Sequence, residues 1–420
     1  MLRHASLSQE DHPIKPRSSL PHLFPALAAL LILVGAIIFG DRYASALEDH
    51  YIHALAPLLL SQTSMGVVIQ QAALRQPDLL PVYGSSEALN GDIRYRADTF
   101  FAAYPTGFAV TDVARTADAS LNVAQDLAAL GPDLRGRKVV ISLTPGMFTV
   151  EKVGERYYAG SFSRLHANAL AFSPYLSMTV KQMAAQRMLQ YPKTLSNDPI
   201  LWFALHTLAN STIFHRIGYA MVFPLGQLDT FIIRMQDHYA VWSYLQTHPN
   251  LKPMAVMSQA ETIDWEALTA EALAQQMAAT KSNPYGIEDY SWTTKYNGYI
   301  KVQKPGSADQ THIANLNTSR EWEDLAILLE ILREQGAQPL IISRPINGTV
   351  YTAIGISPQA QQHYYAKLQD LVNSYQMPLV DFQLYTSDRY FNVDNDSHTS
   401  REGWVIVDQT LDAFYHGNIH

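Results

Sequence analysis

Three short segments hold residue types suited to acyl chemistry. The first, Tyr83-Gly84-Ser85-Ser86-Glu87, follows an apolar run, Leu79–Tyr83, that reads as a strand. Glycine lets a chain turn sharply and lets backbone N–H groups approach a ligand. A serine on such a turn presents its hydroxyl near free N–H groups, which is what an oxyanion hole requires. A plain turn with serine as a helix cap fits the same residues. The second segment, Asp394-Asn395-Asp396-Ser397-His398, stands just before the last helical pattern. A histidine beside carboxylates can be oriented as a general base, the carboxylate holding its tautomer and stabilising the imidazolium. The bland alternative is a solvated acidic loop; a calcium loop is disfavoured because no glutamate follows at the EF-hand position. The third segment, Ser343-Arg344-Pro345-Ile346-Asn347-Gly348, ends a strand and either lines the same rim or forms an ordinary loop. A serine after the first strand and a histidine before the last helix, in that order, fit the serine-hydrolase class on a flavodoxin-like sheet. They are 312 residues apart, so only the fold can join them.

The elements that must position them alternate between strand-like and helix-like runs. Leu79–Tyr83, Gly107–Val113, Val139–Ile141, Pro339–Ser343 and Leu379–Phe382 are apolar and short. Leu121, Ala124, Leu127 and Leu130 recur at three-residue steps and predict a helix. Glu321–Glu334, with Ser319 as cap and Gly336 as stop, is another; Pro358–Gln376 and Ser400–Tyr415 complete the set. Apolar strands joined through helices argue for a parallel sheet covered on both faces. Residues 160–275 differ: they are rich in Ala, Leu, Met and Gln and read as several helices inserted into one crossover. Trp202, Phe203, Phe214 and Phe223 are expected in the core of that block, with a membrane-facing patch as the alternative. The expected fold is therefore α/β, a flavodoxin-like parallel sheet covered by helices, with a helical insertion at about 155–280.

Composition narrows the setting. The chain has 420 residues, 47% hydrophobic and only 16% charged, enough apolar material for a sizeable core. Its net charge of −8 argues against nucleic acid as a partner. The absence of cysteine excludes thiolate nucleophiles, disulfides and iron–sulfur clusters. Leu23–Phe39 is uncharged for seventeen residues and spans about 25 Å as a helix, close to a bilayer core. Arg3, Lys15 and Arg17 precede it and Glu48 and Asp49 follow, so the positive-inside rule puts the N-terminal tail in the cytoplasm. The expected organisation is a tail over 1–22, a transmembrane helix over 23–40 and an extracytoplasmic domain over 41–420. A cleaved signal peptide ending near Ala44-Ser45-Ala46 is the rival reading.

Taken in order, the motifs resemble the DltD family, membrane-anchored proteins of D-alanine transfer to teichoic acids that are related to the SGNH hydrolases. The resemblance rests on the single anchor, on Tyr83-Gly84-Ser85-Ser86-Glu87 and on Ile141-Ser142-Leu143-Thr144-Pro145-Gly146-Met147-Phe148. It continues through Ser282-Asn283-Pro284-Tyr285-Gly286 and Ser343–Gly348 with Tyr351, then Asp381-Phe382, Tyr390-Phe391, and His398 leading into Gly403-Trp404-Val405.

The resemblance implies an SGNH-like domain with a Ser/Asp/His triad. Ser86 matches the nucleophile, with Ser85 as fallback, and His398 matches the general base. The family's Asp three residues before the histidine is Asn395 here; Asp396 is expected in its place, with Asp394 as the alternative. Where the family has Gln-Trp, this chain has Gly146-Met147. Thr116–Ser120, which corresponds to a block with a usual glycine, has none. Gly84, Ser85 and Asn347 are candidates for substrate or oxyanion contacts, the N–H of Ser86 or its neighbour for the first oxyanion donor, and Glu87 for the ammonium of a D-alanyl group. The implied function is extracytoplasmic D-alanylation of a teichoic-acid-type polymer or glycolipid through a Ser-bound intermediate. Its implied partners are a D-alanyl donor, an envelope acceptor, a membrane O-acyltransferase and a carrier protein; no metal or organic cofactor is indicated. The alternatives are an esterase or thioesterase using the same Ser/His site, and a non-catalytic docking module.

Overall fold

The computed structural model describes residues 20–56, 66–254, 262–394 and 398–419. Its centre is a five-stranded parallel sheet: β1 (Leu79–Gly84), β2 (Ala109–Ala114), β3 (Lys138–Leu143), β4 (Gln338–Ser343) and β5 (Leu379–Val380), in the order β2-β1-β3-β4-β5. The strands are mostly apolar because both faces are covered, with Thr111, Asp112 and Ser142 among the buried polar exceptions. Alternate residues serve opposite layers, as the two-residue period of a strand requires. Tyr83, Val113, Val139, Ile141 and Ile341 meet the helices Ser120–Leu130, Glu321–Gln335 and Pro358–Ser374. Leu80, Val82, Val110, Val140, Leu340 and Ile342 meet Ala97–Ala103 and Arg401–Tyr415. Each such side chain contributes about 1.5–3 kcal/mol by leaving water.

Glu321–Gln335 stops where expected: Gly336 takes φ 70°, the left-handed conformation of a helix C-terminus. The last strand is shorter than its apolar run suggested. It spans only Leu379–Val380, and Phe382 already turns left-handed at φ 45°.

The crossover from β3 to β4 carries the predicted helices. They include Glu155–Ser161, Arg164–Ala171, Met178–Met188, Pro199–Leu208, Ile213–Thr247 and Trp265–Ala279. Their own core is built from Tyr158, Phe172, Met188, Tyr191, Leu205 and Tyr219. The four aromatics expected in that core divide. Phe223 packs against it, but Trp202, Phe203 and Phe214 are exposed. The reason is helical phase: Tyr219, Val222 and Gly226 supply the inward face, and Phe214 falls on the other.

A single helix, Leu20–Leu55, contains the N-terminal apolar run and continues well past it. Its stretch Phe24–Leu55 is long and apolar enough to cross a membrane, and none of its most apolar part is buried within the described chain. Its C-terminal turns pack on Val67–Arg75 and on Ile213–Thr247.

Candidate active site

The order β2-β1-β3-β4-β5 reverses direction beside β1, and in such sheets ligands bind outside the carboxyl ends of the strands at that point. β1 ends at Gly84, and Ser86 opens the short helix Ser86–Leu89. Gly84 is a packing requirement: a Cβ there would stand 2.6 Å from Glu87 Oε1 and 3.1 Å from Ser142 Cβ.

The two serines of the turn face different partners. Ser85 Oγ accepts the Asp118 N–H at 3.0 Å and ties the loop after β1 to the loop after β2. Ser86 Oγ lies 2.9 Å from His398 Nε2. Glu87, expected near a substrate ammonium, is instead fully buried: Oε1 accepts the Ser85 N–H at 2.9 Å and Oε2 the Thr144 hydroxyl at 2.6 Å. Its carboxylate fixes the turn from beneath.

On the other side, His398 Nδ1 lies 2.6 Å from Asp394 Oδ2. The loop that carries both is pinched shut. Val393 N–H donates to the His398 carbonyl at 2.9 Å, and Asn392 and Thr399 form an antiparallel bridge. This closure lets a carboxylate four residues before the histidine reach its ring. Asp396, the carboxylate favoured from sequence, lies outside the described residues together with Asn395 and Ser397.

Around Asp394 the structure adds groups that no motif announced. The Tyr296 hydroxyl, from the turn Trp292–Tyr296 of the inserted crossover, donates to Asp394 Oδ2 at 3.2 Å. Asn347 is a strap rather than a cleft residue. Its Oδ1 caps Gly348–Ala353 by accepting the Val350 N–H, and its Nδ2 donates to the Asp394 carbonyl at 2.9 Å. Gly286, at φ 73°, lets the Ser282–Gly286 segment sit directly on the Arg389 carbonyl, where a Cβ would come within 1.7 Å. That segment also receives Arg389 Nη2 on the Asn283 carbonyl at 2.7 Å, so it buttresses the histidine loop. Tyr296 had no sequence signal because its partner lies 98 residues further along the chain.

Ser86 and His398 open into a cleft of about 820 Å³. Thr116, Ala117, Thr144, Gly146 and Met147 line it near Ser86; Lys152, Lys295 and His312 are its basic or imidazole residues. None of its described lining residues is an Asp or Glu. Burial holds the His312 imidazole below its ordinary pKa. Ala117 takes φ 57°, the left-handed conformation in which glycine is at ease. The block without a glycine thus keeps a glycine-like backbone at an alanine.

Beneath the turn lie buried charges. Arg344 sits 4.7 Å over the Trp404 ring, and burial lowers its pKa to about 10, while Glu87, Asp408 and Asp112 oppose the fall. Burial raises Asp118 to about 7 against the pull of Arg115, whose Nε lies 3.1 Å away.

The family model described as DltD protein matches residues 57–416 of this chain. The chain belongs to the DltD family. Curated relatives extend the match over nearly the whole chain. Protein DltD of Bacillus subtilis (strain 168) is 25% identical over 392 residues, covering 93% of this chain and 96% of the relative. Protein DltD of Staphylococcus aureus (strain NCTC 8325 / PS 47) is 25% identical over 398 residues, covering 93% and 95%. Protein DltD of Lacticaseibacillus rhamnosus is 20% identical over 393 residues, covering 93% and 90%. For a DltD chain at this identity, the motifs Tyr83–Glu87, Ser282–Gly286 and Ser343–Gly348 all fall on loops that surround or support the Ser86–His398 contact.

Proposed function

We propose that this chain is a membrane-anchored, extracytoplasmic acyltransferase that carries a D-alanyl group on Ser86 and delivers it to a hydroxyl of a cell-envelope polymer or glycolipid. The observation that carries the reading is the relay Ser86 Oγ–His398 Nε2–Asp394, at 2.9 and 2.6 Å, at the mouth of an open cleft. Membership of the DltD family supplies the acyl group and the envelope setting.

Each residue has a step. His398 Nε2 takes the Ser86 proton as Oγ attacks the carbonyl carbon of an activated D-alanyl donor. The Asp394 carboxylate accepts the Nδ1–H, fixing the tautomer and stabilising the imidazolium. The donor's leaving group departs with the proton from Nε2, leaving a D-alanyl ester on Ser86. An acceptor hydroxyl then gives its proton to His398, attacks that ester and restores Ser86. The Ser86 N–H stands at the first position of its helix, where no intrahelical partner exists, and with the Ala117 N–H it supplies the oxyanion donors. Lys152 and Lys295, with no carboxylate among the described lining residues, suit an acceptor that carries negative charge.

The test compares wild type with Ser86→Ala and His398→Ala in cells, measuring D-alanine esters in the envelope fraction and free D-alanine in the medium. Loss of envelope esters with the variants folded and membrane-bound supports the proposal. Release of free D-alanine by wild type without envelope esters would indicate a hydrolase. Unchanged envelope esters in the double variant would leave only a docking role.

A further inference from the structure

The helix Ile213–Thr247 has a face that nothing in the described chain covers. Tyr219, Val222 and Gly226 turn inward, and Gly226 lets the helix rest on Phe172, where a Cβ would come 2.2 Å from the ring. Phe214, Ile217, Met221, Leu225, Leu228 and Ile232 point the other way, at steps of three or four residues, and are 47–81% exposed. The stripe is about 27 Å long at 1.5 Å per residue. Arg216 and Asp229 lie to its sides by helical phase, so no charge interrupts it. Further along the same face, Tyr239 and Trp242 are exposed with ring centroids 5.6 Å apart. An apolar strip of this size on a water-soluble face is a binding surface.

The contact with the N-terminal helix says what covers it. Asp41 lies 3.9 Å from Arg234 Nε and 3.2 Å from His238 Nε2, and Glu48 lies 2.6 Å from His238 Nδ1. Beyond them Leu47, Tyr51 and Leu55 pack with Val241 and Leu245. The numbers rise together, so the two helices run in the same sense. Asp41, the first charge after the apolar run, is therefore level with Arg234. Every residue of the stripe precedes Arg234, on the side of that level where Phe24–Phe39 would meet acyl chains.

We propose that this stripe inserts into the outer face of the bilayer that the N-terminal helix spans, so that a second, interfacial helix holds the domain against the membrane. The inference rests on the anchor reading above. Three observations favour lipid over a protein partner. The stripe shares its level with the anchor, it lacks charge, and Tyr239 and Trp242 stand past its end, where an interfacial aromatic belt belongs. The Ser86–His398 cleft is then held at a fixed tilt to the membrane instead of swinging on one helix.

The chain has no cysteine, so single labels are simple to place. Full-length protein carrying a fluorophore at Leu31→Cys, Met221→Cys or Ala274→Cys is reconstituted into phosphatidylcholine/phosphatidylglycerol vesicles. Quenching by an acyl-chain nitroxide is compared with quenching by aqueous iodide. Ala274, on the helix Trp265–Ala279 against the other sheet layer, is the water-facing control. The expected result is acyl-chain quenching at Leu31 and Met221 several-fold above Ala274. Iodide quenching at Met221 with Leu31 in the acyl region would overturn the interfacial helix and leave the anchor. Both positions in water would overturn both readings. Iodide quenching at Met221 in vesicles, with cross-linking of the same position to another protein in native membranes, would assign the stripe to that protein and overturn the lipid reading.

Discussion

Trp404 and Asn90 join the two ends of the chain at the site. The Trp404 indole Nε1–H donates to the Asn90 carbonyl at 2.9 Å, and the Asn90 side-chain amide donates to the Ser86 carbonyl at 2.7 Å. The last helix thus grips the short helix that opens with Ser86. Trp404→Phe keeps an aromatic ring under Arg344 but removes the indole donor and part of the buried ring. The expected outcome is a loss of about 1–2 kcal/mol in stability and a roughly tenfold slower reaction of Ser86 with a fluorophosphonate probe. Thermal melts and labelling time courses measure the two separately.

Ser85 and Ser86 differ in what their hydroxyls do, although the sequence cannot separate them. Ser85→Ala is expected to retain covalent labelling at Ser86 while losing about 1–3 kcal/mol, because the buried Asp118 N–H loses its acceptor. Peptide mapping of the labelled protein identifies the modified serine. A label on position 85 of the wild type would contradict the assignment.

Among the described residues, Asp394 is the carboxylate that reaches the histidine ring. Asp394→Asn is expected to slow labelling of Ser86 by ~10²–10⁴-fold with the fold intact, since the amide no longer holds the required tautomer. Asp396→Asn is expected to change it by only a few-fold. The reverse ranking in the same kinetic assay would transfer the role to Asp396.

Ala117 holds a left-handed backbone against its Cβ. Ala117→Gly removes that conflict and is expected to raise stability by about 1 kcal/mol, even after the added freedom of the unfolded chain. A denaturant titration decides it; a loss of stability would mean the surrounding loop offsets the strain.

Glu402 gives the fold a pH dependence. Burial, aided by Asp388, pushes its carboxyl from an ordinary 4.5 up to about 7. A raised folded-state pKa means the stabilisation is full below about pH 4.5 and fades as the pH climbs through 7. Wild type is expected to lose about 1–3 kcal/mol between pH 5 and pH 8, and Glu402→Gln markedly less. Melting curves at the two pH values test the difference.

What the sequence alone determined was local. Apolar runs fixed five strands because a buried parallel strand needs little more than continuous apolar character. Gly336 fixed a helix stop, and seventeen uncharged residues fixed an apolar helix of bilayer length. The chemistry-bearing types, the Ser85-Ser86 pair and His398, were legible because their neighbours announce a turn and an acidic loop. The tertiary structure decided everything that depends on distant partners. It turned Ser85 toward Asp118, enclosed Glu87 under Thr144, and brought Asp394 to His398 by closing the loop between Val393 and His398. It supplied Tyr296 from an insertion and put Phe214 outside instead of in. The reason is physical: a side chain's type fixes which bonds it can make, but the direction it faces is set by the phase of its helix and by loops closed across hundreds of residues.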